Sequence, residues 1–352
     1  MTNLDTDLSK AGADSVPPKI FPPLKKVSVL DQHEHPVIAL VVRRFAAALL
    51  TLVLVSMAVF LATQVLPGNA ARAILGPHST LQAQRALAHH LGLDQPLVTQ
   101  YVTWFAHLLR GNFGTSMATS QSVTSVIGPR LINSAFLVTA AGFIGTALGV
   151  GLGVVTAARR DTLFDHVTSS FALVTIALPE FVIGILLILL FATGLFHWLP
   201  AVSFIPPGTY AWNNPRLVVL PVMTLVIVIV PYIYRMVRAT LIDTMSSSYV
   251  EMAELKGLSP RRVLLRHAMP NAMAPAMQTI GLNVLYLAGG IVVVEYLFNF
   301  PGIGQGLVNA VSDRDLPLIQ ASVLILAAFY MVVNILTDVA SLLLSPLRRN
   351  PR

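Results

Sequence analysis

The chain contains no cysteine. That excludes disulfides, thiolate metal sites and a cysteine nucleophile, and it leaves the redox compartment open. Charge is also scarce. Only 11% of the 352 residues are Asp, Glu, Lys or Arg, against about 25% in a soluble domain. So few charges cannot cover a water-facing surface, and lipid is the expected solvent for much of the chain. There is no Gly-x-x-x-x-Gly-Lys-Ser/Thr phosphate loop, so any nucleotide chemistry of that type is handled by another subunit. No histidine falls in the central part of a predicted membrane helix, which removes an intramembrane Ser–His or metal-dependent protease. No internal repeat of the kind that marks many secondary transporters is visible.

Apolar residue types make up 55% of the chain, and the mean hydropathy is +0.72. A helix needs roughly 20 apolar residues to cross about 30 Å of hydrocarbon. Six stretches meet that length, at about 45–65, 131–158, 167–196, 217–237, 272–298 and 318–344. Lipid leaves no alternative to helix for such segments, because open backbone groups cannot be satisfied there. The expected fold is therefore an all-α, multi-pass membrane protein with six transmembrane helices. Residues 1–40 are polar, with Pro17-Pro18 and Pro22-Pro23, and read as a largely disordered extension. Their His33-Glu34-His35 cluster offers too few ligands for a metal site, and no metal site is expected elsewhere. Scattered His78, His89, His90 and His107 read as solvated loop residues.

Net charge is +7. It reflects the bias of Lys and Arg toward cytoplasmic segments rather than an affinity for nucleic acid. Lys10, Lys19, Lys25, Lys26, Arg43 and Arg44 precede or open the first apolar run, and Arg159 and Arg160 follow the second. Arg235, Arg238, Lys256, Arg261, Arg262 and Arg266 close or follow the fourth, and Arg348, Arg349 and Arg352 close the chain. Both termini are thus expected in the cytoplasm. Residues 67–130 form a long external loop with only scattered basic residues, and residues 239–271 form a cytoplasmic loop.

Gly145, Gly149 and Gly153 recur every four residues on one face of the second run, a stripe suited to close helix packing. Pro179 should bend the third helix, and Pro221 and Pro231 the fourth. Glu180 follows Pro179 in mid-helix, and two readings stay open for it: a pore group that meets an amine or cation, or a polar group that ties helices together. Glu295 and Asp338 lie near the ends of their helices, where water is expected to reach them. Gln278, Asn283 and Asn334 read as hydrogen-bond partners between helices.

The cytoplasmic loop has a definite shape. Residues 249–256 (Tyr249, Glu251, Ala253, Glu254 and Lys256 among them) contain good helix formers. Gly257 is suited to positive φ at a helix end. Ser259 can cap a second short helix with Pro260 at its first position, running through Arg262 to Pro270. The expected product is a stiff elbow of two helices.

The segment Glu251-Met252-Ala253, then Gly257, then Met269-Pro270 resembles the cytoplasmic motif shared by permeases of ATP-binding-cassette (ABC) importers. Tyr249-Val250, Lys256-Gly257-Leu258-Ser259, Arg266-His267-Ala268 and Asn271-Ala272 are similar to the dipeptide, oligopeptide and nickel branch. So, from Arg43 onward, are Leu66-Pro67-Gly68, Leu91-Gly92-Leu93-Asp94-Gln95-Pro96, Gly111-Asn112-Phe113-Gly114-Thr115-Ser116, Leu199-Pro200, Leu220-Pro221, Glu295-Tyr296-Leu297-Phe298, Pro301-Gly302-Ile303-Gly304, Arg314-Asp315-Leu316-Pro317, Asn334 and Asp338. Glu251 and Glu254 stand where that branch usually has Arg, and Ser345-Pro346 where it has Asp-Pro.

The resemblance implies a type I importer permease in a prokaryotic plasma membrane, forming half of a pore with a similar second permease. Two ATPase subunits would bind ATP and Mg below it, and an extracytoplasmic substrate-binding protein would deliver cargo. The chain itself would bind no cofactor and catalyse nothing. The implied cargo is di- or oligopeptides, with nickel or another metal chelate as the alternative. A secondary transporter driven by an ion gradient is the rival class. It calls for intramembrane charge pairs and leaves the elbow unexplained.

Overall fold

The computed structural model describes residues 36–65, 79–90, 94–206 and 208–344. The extension up to residue 35, His78, Leu66-Pro67-Gly68, Leu91-Gly92-Leu93, Ser345-Pro346 and the C-terminal arginines lie outside the described residues. What is described is helical; among the described residues there is no β-strand, only an isolated bridge between Thr115 and Ser122.

Helix α1 spans Pro36–Val65. It begins inside the expected 1–40 extension, because Pro36 suits the first turn and the apolar sequence after it continues without a break. Two amphipathic helices follow in the expected external loop: α2, Leu81–His90, and α3, Leu97–Leu109. The α3 helix docks on α1 through Phe60, Tyr101 and Trp104, with ring centroids 5.4 to 6.0 Å apart. Helix α4, Val123–Ala158, starts eight residues before the expected boundary and carries Pro129 in its second turn.

The third expected span is not one straight helix. Helix α5, Leu163–Ala177, and helix α6, Glu180–Ile188, meet at a bend of 107°. Leu178 takes extended geometry (φ −89°, ψ 132°) because the ring of Pro179 disfavours helical geometry in the residue before it. Glu180 is consequently in the first turn of α6, not in mid-helix. A π-helical turn, Leu189–Thr193, ends this segment.

Helix α7, Pro215–Met245, passes through Pro221 and Pro231 without interruption. The expected cytoplasmic loop contains α8, Ser248–Leu255, and α9, Pro260–Arg262. A π-helical turn, Val263–Ala268, joins α9 to α10, Met269–Leu297. Pro270 therefore does not end a helix as expected. It lies in the first turn of α10, where its missing N–H is least felt. Helices α11, Ile303–Ser312, and α12, Leu316–Leu344, complete the fold. Among the described residues, five helices are long and apolar enough to cross a membrane, and six spans result if the bent α5–α6 pair counts as one.

The core is built around α7 and α4. Gly145, Gly149 and Gly153 of α4 are buried and face Ile229, Ile233 and Val237 of α7. A Cβ on Gly149 would lie 2.8 Å from the Ile233 Cβ, and one on Gly153 2.7 Å from the Val237 Cβ. Each β-branched side chain thus fills the notch of one glycine. Leu137, Ala141, Leu225, Leu287, Ile291 and Phe298 extend this core toward α10.

Candidate coupling surface and translocation path

The elbow of α8 and α9 is held to the membrane helices by its inner side. Val250 and Ala253 of α8 pack with Val263, Ala268, Leu241 and Ala272, and against Val154 and Ala157 at the end of α4. Gly257 has φ +77°, and its N–H donates to the Glu254 carbonyl at 2.8 Å. An L-residue is strained in that conformation. Ser259 caps α9 through its backbone carbonyl, which accepts from the N–H groups of Arg262 and Val263; its hydroxyl makes no cap bond. Asn271 Nδ2 donates to the Tyr249 hydroxyl at 3.0 Å, which braces α8 on α10. The outer side is free: Tyr249, Met252 and Leu255 are exposed at spacing i, i+3, i+6, with Glu251, Glu254, Lys256, Pro260 and Arg262 exposed around them.

Glu295 is completely buried, so water does not reach it as expected from its position in the sequence. Its Oε1 accepts from the Ser134 hydroxyl at 2.5 Å, and its Oε2 from the N–H groups of Gly304 at 2.7 Å and Gln305 at 3.1 Å. Ser134 also accepts from the Ile303 N–H at 2.8 Å. The carboxylate thus sits at the N-terminus of α11, where free N–H groups and the helix dipole favour an anion. Gly304 permits this approach, since a Cβ there would lie 2.9 Å from Oε2. Arg130 supplies an opposite charge nearby and donates to the Gly302 carbonyl at 3.4 Å.

Glu180 is different. It is half-buried, and its Oε2 has no hydrogen-bond partner among the described residues. The carboxylate rests on Gly290 of α10, where a Cβ would lie 2.5 Å from Oε2. It opens on a cavity of about 490 Å³ lined by Leu282, Tyr286, Gly289 and Tyr330.

Residues 149–350 match the family described as "Binding-protein-dependent transport system inner membrane component", and residues 37–135 match its N-terminal counterpart. The chain belongs to this family of ABC importer permeases. A "Probable peptide ABC transporter permease protein y4tP" of Sinorhizobium fredii is 33% identical over 308 residues, covering 87% of this chain and 97% of that protein. The "Glutathione transport system permease protein GsiC" of Salmonella choleraesuis is 35% identical over 306 residues, and that of Escherichia coli K12 is 34% identical, each with the same two coverages. The permease is thus a multi-pass inner-membrane transport component of an ABC importer.

The remaining polar residues of the permease fall into separate places. Asn283 is buried but donates to the Thr279 carbonyl of its own helix at 2.8 Å. It does not bond across helices as expected, because a short amide in a helix reaches the carbonyl four residues back more readily than a neighbour. Gln278 is exposed and Asn334 half-buried. Asp338 pairs with Arg44 of α1 at 3.0 Å. Arg238 forms a bidentate pair with Asp165, both bonds 2.6 Å.

Sequence reasoning missed two ties. The first is Asp315, fully buried, which accepts from the Ser116 hydroxyl and from the Met117 N–H at 3.1 Å. It clamps the segment around Ser116 and Met117 onto the α11–α12 turn. The second is Asn133, which donates to the Pro301 carbonyl at 3.1 Å and accepts from the Ala211 N–H at 3.0 Å. Both join segments distant in sequence, and only the family-like runs containing Ser116, Pro301 and Asp315 marked any part of them.

Proposed function

We propose that the permease forms half of the translocation pore of an ATP-driven peptide importer, with six crossings and both termini in the cytoplasm. A second, similar permease completes the pore. The elbow of α8 and α9 docks on a separate ATPase subunit that binds ATP and Mg, and an extracytoplasmic binding protein delivers the cargo. The observation that carries this reading is the exposed apolar face of Tyr249, Met252 and Leu255 on a short helix anchored from behind by Val250 and Ala253. A solvated helix has no use for that face, whereas a protein partner would bury it. ATP binding that draws two ATPases together would pull on two such elbows and favour the outward-open pore, a population shift by a ligand that prefers one state. A small peptide as cargo is supported by the relatives, since glutathione is itself a tripeptide.

Co-purification in mild detergent tests the docking. Leu255→Asp is expected to reduce recovery of the ATPase at least tenfold while leaving the permease in the membrane. Gly257→Pro is expected to do the same, because proline fixes φ near −65° where the chain needs +77°. Full recovery of the ATPase with unchanged uptake in both variants would overturn the assignment.

A further inference from the structure

The elbow accounts for docking, but it leaves a row of polar side chains between α7 and α10 without a task. Arg235, on a membrane-spanning helix, is exposed and has no ion-pair partner among the described residues. Its neighbours are already engaged: Arg238 is held by Asp165, and the Tyr234 hydroxyl bonds Ser169 at 2.8 Å. Arg235, Tyr232 and Thr279 line a cavity of about 560 Å³. The cavity beneath Glu180 lies farther along the same helix, α10, at Tyr286, Gly289 and Gly290. Tyr286 lines the cavity of Glu180 and Tyr232 that of Arg235. Neither an exposed guanidinium nor a half-buried carboxylate faces hydrocarbon cheaply. They belong to a wet surface.

We propose that Glu180, Tyr286, Tyr232 and Arg235 form a two-pole track for zwitterionic peptides, Glu180 receiving the terminal ammonium and Arg235 the terminal carboxylate. Thr279 and Gly290, which mark the two poles on α10, stand eleven residues apart, about 16 Å along the axis. An extended peptide covers about 3.3–3.6 Å per residue. A peptide of about five residues therefore spans both poles at once, whereas a dipeptide meets them in turn. The tyrosine hydroxyls between the poles donate to or accept from any peptide backbone, whatever its side chains. Gly290 is part of the device, since a Cβ there would push the Glu180 carboxylate away.

This inference rests on the peptide-import reading above. Its test is uptake of a pentapeptide into proteoliposomes holding the complete importer, with each terminus either free or blocked by acetylation or amidation. The ratio of variant to wild type for each peptide cancels the preference of the binding protein. Arg235→Gln is expected to reduce uptake of the free-carboxylate peptide about tenfold more than that of the carboxamide, as loss of a charged hydrogen bond implies. Glu180→Gln should discriminate in the same way between free and acetylated amines. Because the native chain has no cysteine, Arg235→Cys offers a single label site on this subunit. A cationic methanethiosulfonate should restore carboxylate-peptide uptake and an anionic one should not. Equal losses for free and blocked peptides, or failure of water-soluble reagents to label position 235, would overturn the track alone. A wild-type importer that takes up no peptide would overturn the peptide reading as well.

Discussion

Glu295 and Glu180 are both carboxylates on membrane helices, and the protein treats them in opposite ways. Glu295 is wholly enclosed and accepts from a hydroxyl and two backbone N–H groups, with Arg130 close by. Glu180 keeps one oxygen without a donor among the described residues and lines a cavity. The first is built like a structural joint between α4, α10 and α11. The second is left wanting a partner, which is the state of a group awaiting something that passes by. A charge in a membrane protein is informative less by its presence than by how completely its hydrogen-bonding capacity is met.

The sharpest way to break this contrast is to remove the enclosed carboxylate. Glu295→Ala leaves Arg130 uncompensated and strands the N–H groups of Gly304 and Gln305. It is expected to destabilise the permease by roughly 3–5 kcal/mol, read as loss of folded protein in detergent thermal-unfolding scans. Ser134→Ala removes one donor to the carboxylate and the acceptor for Ile303, with an expected loss of about 1–3 kcal/mol in the same scan. At the far end of the scale, Glu180→Gln should shift stability by no more than about 0.5 kcal/mol, while changing uptake kinetics. A Glu180→Gln variant as unstable as Glu295→Ala, with unaltered transport, would make both residues structural and erase the distinction.

Much of the architecture was legible in the sequence because lipid imposes strong periodic constraints. The apolar runs located the membrane helices, Gly257 located the turn of the elbow, and the four-residue spacing of Gly145, Gly149 and Gly153 marked a packing face. Other features were not legible, for identifiable reasons. Pro179 signalled a bend, but its size of 107° depends on how α6 packs against α7 and α10. Glu295 looked water-accessible because depth was inferred from distance to a helix end, and nothing local reveals that α11 folds back over it. Pro270 looked like a stop, yet the π-helical turn before it carries the helix through. Tyr286 lies far in sequence from Tyr232 and Arg235, and its place beside them emerges only when α7 and α10 pack.

The meshing of α4 with α7 limits how this protein can move. Three notches spaced four residues apart hold three branched teeth, so gradual sliding of one helix along the other would force every tooth over a backbone ridge at once. Relative travel is permitted only in whole steps of about 6 Å, one notch at a time. The pair therefore travels as a single block, and smaller, graded displacements during a transport cycle are left to the segments around it, first among them the sharp corner at Leu178-Pro179.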